Sequence, residues 1–221
     1  MPPEELNARA IEWDRAGFQL AFHATGDRGT RVALNAFEAA AKANGPRDRR
    51  DRVEHAWVVA PEDIPRFGQL QVIASIQPAS NSMFSRWAVE RVGPERAKGL
   101  NAVASMLKNG VHLAYGTDYE EEPFDPMRGL FACVTRESLD GGPKAVWQPE
   151  QRLPLADCIH AYTSGSAYAE FEDGKKGELR AGEYADFVVL SNDITKISPA
   201  EYLKTKVLRT VVGGRTVYQH N

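Results

Sequence analysis

Three short motifs, each closing an apolar β-type run, limit what this chain can fold into. They are Phe22-His23-Ala24-Thr25-Gly26-Asp27-Arg28, Val53-Glu54-His55-Ala56 and Tyr115-Gly116-Thr117-Asp118. Each run delivers a His or an Asp just where a helical segment follows. In a parallel β/α array that point is the C-terminal rim of the sheet, where the catalytic groups of barrels gather. Two imidazoles and a carboxylate from successive rim positions make a divalent-metal constellation.

The surrounding pattern supports a parallel array. Pro near its start and Gly17 past its end bracket a helix from Pro3 to Ala16. A strand is expected over 18–22, then a helix from Asp27, which can cap it, to about Ala43. Further strands are expected over 52–59, 71–76 and 112–115. Helices are expected after Pro61-Glu62-Asp63, from about Phe84 and from Pro94 to Lys108. Strand and helix alternating at this spacing argue for βα units rather than a sandwich. About four units fit before Phe171, half of a (β/α)8 barrel, which takes about 250 residues.

A helix over 155–171 then leads into different texture. Residues 177–186 are turn-rich, 187–190 form a short apolar strand, and 207–212 with 215–218 flank Gly213-Gly214 as a hairpin. The expected division is therefore a partial barrel over 1–171 and a β-strand appendage over 172–221.

Composition excludes several classes. Charge is nearly balanced, 27 Lys and Arg against 30 Asp and Glu, so no basic stripe points to nucleic acid. The densest charge run, residues 47–52, mixes signs and reads as a solvated loop. Cys133 and Cys158 lie in apolar helical patterns without metal or redox spacing, which predicts buried reduced thiols. The polar start leads us to expect no signal peptide. No run approaches the roughly 20 apolar residues of a membrane span. The expected compartment is the cytoplasm, with no membrane partner.

A hydrolytic ion needs nitrogen or oxygen ligands with one position left for water. His23 and His55 suit zinc. Asp118 can ligate while its spare oxygen takes a proton. Taken singly, a strand-terminal His is commonly structural and an Asp there commonly caps a helix; the three together argue for a site. Asp27 reads as a cap or as an orienting group behind His23, and Arg28 as a surface cation or a substrate contact. Gln77 ends the third strand and can reach a ligand. Arg86 and Trp87 are substrate candidates by position, while Trp57 reads first as packing. His112, His160 and His220 fall away from the rim, and Glu120-Glu121-Glu122 reads as an exposed acidic loop.

At these residues the chain resembles the amidohydrolase superfamily, in its amidohydrolase-3 or YtcJ-like branch. The segments that carry the likeness include 23–28, 53–56, Ser75-Ile76-Gln77-Pro78, 116–118 and Asp125-Pro126-Met127. Lys176-Gly177-Glu178-Leu179 and Gly182-Glu183-Tyr184-Ala185-Asp186-Phe187-Val188-Val189-Leu190 extend it. The resemblance implies a distorted (β/α)8 barrel plus a small β-sandwich and metal-dependent hydrolysis of amide or similar C–N bonds. His23 and His55 would then be metal ligands after strands five and six. Asp118 would be the strand-eight ligand and general base and acid, with one or two ions, usually zinc.

The family's first-strand His-x-His pair and strand-four bridging ligand have no counterpart here. The expectation is therefore the back half of such an enzyme, with little activity alone. A small amide-like substrate and either a homo-oligomer or a complementary N-terminal half chain complete it. A non-catalytic binding or assembly module, or a remnant, on the same scaffold is the alternative.

Overall fold

The computed structural model describes residues 1–81, 86–139 and 146–220. It contains two compact units, residues 1–76 with 87–113 and residues 77–86 with 114–221. The helix start expected near Phe84 lies outside the described residues.

In the first unit, α1 (Pro3–Arg15) begins on Pro3 with Glu4 and Glu5 in its first turn and Arg15 in its last. Those charges suit the helix dipole at both ends. Strand β1 covers Ala21–Ala24 rather than 18–22. Ahead of it, the Leu20 N–H donates to the Asp51 carboxylate at 2.8 Å and Phe18 is exposed. Helix α2 (Asp27–Asn44) buries Ala33, Leu34, Phe37 and Ala40 at helical spacing, and Phe37 stacks on Phe22 with ring centroids 4.9 Å apart. Its N-cap is Gly26, not Asp27; the Asp27 carboxylate accepts from the Arg28 N–H.

Strand β2 (Arg52–His55) stops four residues before the expected end. His55 and Ala56 adopt φ of +74° and +44°, which no strand can continue. Helix α3 (Ile64–Leu70) closes on Gln71 at φ +54°, so β3 runs only over Ile73–Ile76. Gly68 on α3 is required by close approach: a Cβ there would sit 2.0 Å from the Asn109 carbonyl oxygen. The helix expected over 94–108 is instead α4 (Ala88–Ala97) and α5 (Val103–Lys108), parted by Asn101 at φ +45°. Leu113 begins β4 (Leu113–Tyr115), the fourth strand in the order β1-β2-β3-β4. Pairs β1–β2 and β2–β3 are parallel, with Phe22 opposite Val53 and Val53 opposite Ala74.

The charge run at 47–52 is a loop solvated only in part: Arg47 and Asp48 are exposed, while Arg49 and Asp51 turn inward. Asp14, with no side-chain exposure, is held by Arg47 Nε at 3.0 Å, Arg49 Nε at 2.8 Å and Asn44 Nδ2 at 2.7 Å. Burial raises the Asp14 pKa, but the hydrogen bonds from Arg49 and Asn44 and the charges of Arg49 and Arg47 outweigh it, so it is lowered.

Asp51 behaves oppositely. Burial, reinforced by the Asp14 charge, lifts its pKa to about 6, against the Leu20 N–H and the charges of Arg49 and Arg47. The folded state therefore holds this proton more tightly than the unfolded chain, and the group's contribution is lost as pH rises from about 4 to about 6. Asp51→Asn keeps the Leu20 acceptor and removes the titration. In urea unfolding, the variant is expected to gain about 3 kcal/mol on the parent between about pH 3 and about pH 7. A difference independent of pH would contradict the burial argument.

In the second unit, Asp125 caps α6 (Pro126–Thr135), its carboxylate accepting the Met127 N–H at 3.0 Å. Cys133 on α6 and Cys158 on α7 (Leu155–Tyr162) are disulfide-bonded, not reduced thiols, with Cα atoms 6.2 Å apart. Both are buried and come from packed helices, a proximity that their 25-residue separation does not reveal. The helix expected over 155–171 breaks at Thr163 (φ −115°, ψ −91°) into α7 and α8 (Ser164–Ala169). Buried Arg136 donates to the Trp147 carbonyl and to Gln148 Oε1, and burial lowers its pKa to about 10.

A three-stranded antiparallel sheet follows, in the order β5 (Phe187–Leu190), β6 (Val207–Val212), β7 (Arg215–Gln219), with α9 (Pro199–Tyr202) between β5 and β6. Gly213 and Gly214 at φ +55° and +75° give the β6–β7 turn the positive φ it needs at both central residues. No helix among the described residues is long and apolar enough to cross a membrane.

Candidate metal and active site

Parallel pairing of β1 with β2 puts Ala24 opposite His55 and His23 opposite Glu54. The two imidazoles meet at the strand ends, ring centroids 4.5 Å apart and edge to face. His23 is exposed and His55 half-buried. Trp57 sits edge-on to His55 at 5.1 Å, so the residue read as packing is a wall of this cluster. Its signal in the sequence was its place two residues after a candidate ligand.

His55 needs its left-handed backbone to end the strand here. Histidine and aspartate enter that conformation more readily than most non-glycine residues. Asp118, in the other unit, shares the feature: φ is +57° on the exposed loop after β4. Two nitrogen donors side by side fit two ligand positions of a zinc-type ion. Among the described residues, no group of three or more His, Cys, Asp or Glu forms a metal cluster.

The remaining candidates divide as follows. Asp27 and Arg28 line a cavity of about 180 Å³ with Arg31, Ala60 and Glu62. Arg31, not singled out from sequence, donates to Glu62 and Asp63 at 2.7 Å each, fixing that wall. Gln77 is buried where the second unit begins. Arg86 is exposed, and half-buried Trp87 carries the Arg91 guanidinium over its ring at 5.3 Å. The loop after Asp118 also displays an aromatic pair, Tyr119 and Phe124, 68% and 75% exposed with centroids 5.6 Å apart. Two large aromatics in an acidic loop were the legible sign of that surface. Glu120 and Glu121 beside them are exposed and Glu122 is half-buried; His112, His160 and His220 are exposed.

Known proteins resemble this chain in sequence and, for a solved structure, in fold. The protein LONG AFTER FAR-RED 3 of Arabidopsis thaliana is 37% identical over 224 residues, covering 99% of this chain and 37% of its own length. YtcJ of Bacillus subtilis, named as an amidohydrolase, is 32% identical over 203 residues, covering 92% of this chain and 38% of its own. The crystal structure of an uncharacterized metal-dependent hydrolase from Pyrococcus horikoshii superposes with a TM-score of 0.77 at 31% identity. That match covers 90% of this chain and 39% of the other. The chain thus spans less than two-fifths of the length of these relatives. The profile of the amidohydrolase family matches residues 1–218, and the chain belongs to that family.

Proposed function

We propose that these residues carry part of the active site of a metal-dependent hydrolase acting on amide or similar C–N bonds. The observation that carries this reading is the His23–His55 pair at the ends of adjacent parallel strands, with His55 held in a left-handed conformation. His23, His55 and Asp118 would hold the divalent ion, zinc on the chemistry of two imidazoles and a carboxylate. When bound, such an ion acidifies water and polarises the scissile carbonyl.

The chain's own groups do the rest. A carboxylate oxygen of Asp118 takes the proton of the attacking water and passes it to the leaving amine. Trp57 holds the His55 ring from one edge. Asp27 is proposed to fix the first turn of α2 behind His23 by accepting the Arg28 N–H. Arg28, Gln77, Arg86 and Trp87 are proposed to contact a small amide-like substrate.

The four strands are proposed to be half of a (β/α)8 barrel, with β1 and β4 at its open ends. A cavity of about 350 Å³ runs along Phe18–Phe22 beside Trp13, room for a neighbouring segment from a second copy or a complementary chain. This sequence holds three of the expected ligands, so the 221 residues alone should turn over little substrate. A chimera in which they replace the matching stretch of the Bacillus subtilis relative should hydrolyse N-acyl amides, and a chelator should abolish that activity. Full activity of the lone chain, or none in a folded chimera, would overturn the proposal. A non-catalytic assembly module is the second reading, and a folded chimera without activity would favour it.

A further inference from the structure

The His55 ring has two ring neighbours, His23 at 4.5 Å and Trp57 at 5.1 Å, both edge to face. His23 is exposed. Trp57, by contrast, sits on a loop that the backbone locks from two sides. Val58 pairs with Leu100 as an isolated antiparallel bridge. In that bridge the Asn101 N–H donates to the Trp57 carbonyl at 2.7 Å, and the Val59 N–H to the Gly99 carbonyl at 3.0 Å. On the other side, the Val58 N–H donates to the Thr25 carbonyl at 3.1 Å, tying this loop to the one that follows His23. Val58, Val59, Leu100 and Asn101 are buried, and every one of these contacts lies inside the first unit.

The link between α4 and α5 is shaped for this pairing. A Cβ on Gly99 would sit 2.1 Å from the Val59 carbonyl oxygen, a backbone atom that cannot rotate aside. Asn101 turns the chain at φ +45°, in the left-handed region that Asn enters more readily than most residues. The positive φ of His55 and Ala56 then folds the loop back, so that the indole meets the imidazole.

We propose that Trp57 is a positioning residue for the two imidazoles, seated by Gly99 and Asn101. The proposal rests on the reading of His23 and His55 as metal ligands. A ligand ring that turns freely must be ordered when an ion binds, and that lost freedom weakens binding. Packing the indole against His55 orders the ring beforehand. The ordered His55 ring in turn gives the exposed His23 ring a surface to rest on, while the Val58–Thr25 bond keeps the two loops in register.

Two readouts test this, one of them without metal. In the metal-free 221-residue chain, nuclear Overhauser contacts between the His23 and His55 rings should be present in the parent and in Trp57→Phe. They should be lost in Trp57→Ala and weakened in Gly99→Ala, whose only added atom meets the Val59 carbonyl. Zinc affinity, measured by competition with a chromogenic chelator, should fall about tenfold or more in Trp57→Ala and recover in Trp57→Phe. Circular dichroism reports folding; if Gly99→Ala does not fold, the two Trp57 variants decide the proposal. Ring contacts absent from the parent, or ring contacts or zinc affinity unchanged in folded Trp57→Ala, would overturn it. An equal loss in Trp57→Phe would overturn it as well. A parent that binds no zinc contradicts the ligand reading instead, and the ring contacts then decide whether Trp57 orders His55.

Discussion

Asp118→Asn in the chimera is expected to lower kcat for amide hydrolysis by about 10²- to 10⁴-fold, the contribution of a positioned proton-transfer group. The substitution isolates chemistry from folding. Asp118 is exposed and its φ is +57°, a conformation that Asn adopts more readily than most residues. The backbone therefore tolerates the change, while the amide keeps one oxygen and loses the basic one. KM should change less than kcat, because the amide oxygen can still ligate the ion while the transferred proton loses its acceptor. Steady-state kinetics on the folded variant check this. Retention of near-parental kcat would remove Asp118 from the proton-transfer role.

The second large effect is on stability. Asp14→Ala should cost about 3 kcal/mol in urea unfolding, because it strips a buried carboxylate from two guanidinium groups. Arg49 is held at 2.8 Å and its side chain is only 10% exposed, so it cannot easily swing into water. Arg47 is 30% exposed and can, which keeps the expectation at the lower end of such effects. Asn44 Nδ2 also loses its carboxylate acceptor, though it still reaches the Ile11 carbonyl. The depressed Asp14 pKa has a definite sign: its stabilisation is present above the unfolded pKa and disappears as pH falls. The deficit of the variant should accordingly shrink in acid. A loss below about 1 kcal/mol, the scale of an exposed pair, would show that the cluster is a surface feature.

That cluster marks where the sequence stops being legible. The run at 47–52 alternates signs, which locally describes a hydrated loop; the inward turn of Arg49 depends on Asp14, 35 residues earlier on α1. The Cys133–Cys158 bridge was hidden for the same reason, since helical apolar patterns show that both sulfurs are buried but not that α6 and α7 put them together. Short-range signals fared better. Gly213-Gly214 announced the hairpin because only positive φ fits its turn, and the face of α2 followed from apolar spacing. The placement of His23 and His55 at strand ends was legible because a strand end is a local pattern. The left-handed turn at His55 was not, as histidine's enrichment in that region is too weak to place a turn. That Trp57 abuts the second imidazole depends on the left-handed turn at His55 and Ala56 that folds it back.

The central claim is that His23, His55 and Asp118 are metal ligands, and zinc content tests it most directly. The purified chain, loaded with zinc, passed over a desalting column and measured by elemental analysis, should hold about one ion per chain. His23→Ala and His55→Ala should each remove it while leaving circular dichroism unchanged. A parent chain free of zinc, or zinc retained in both histidine variants, would contradict the account.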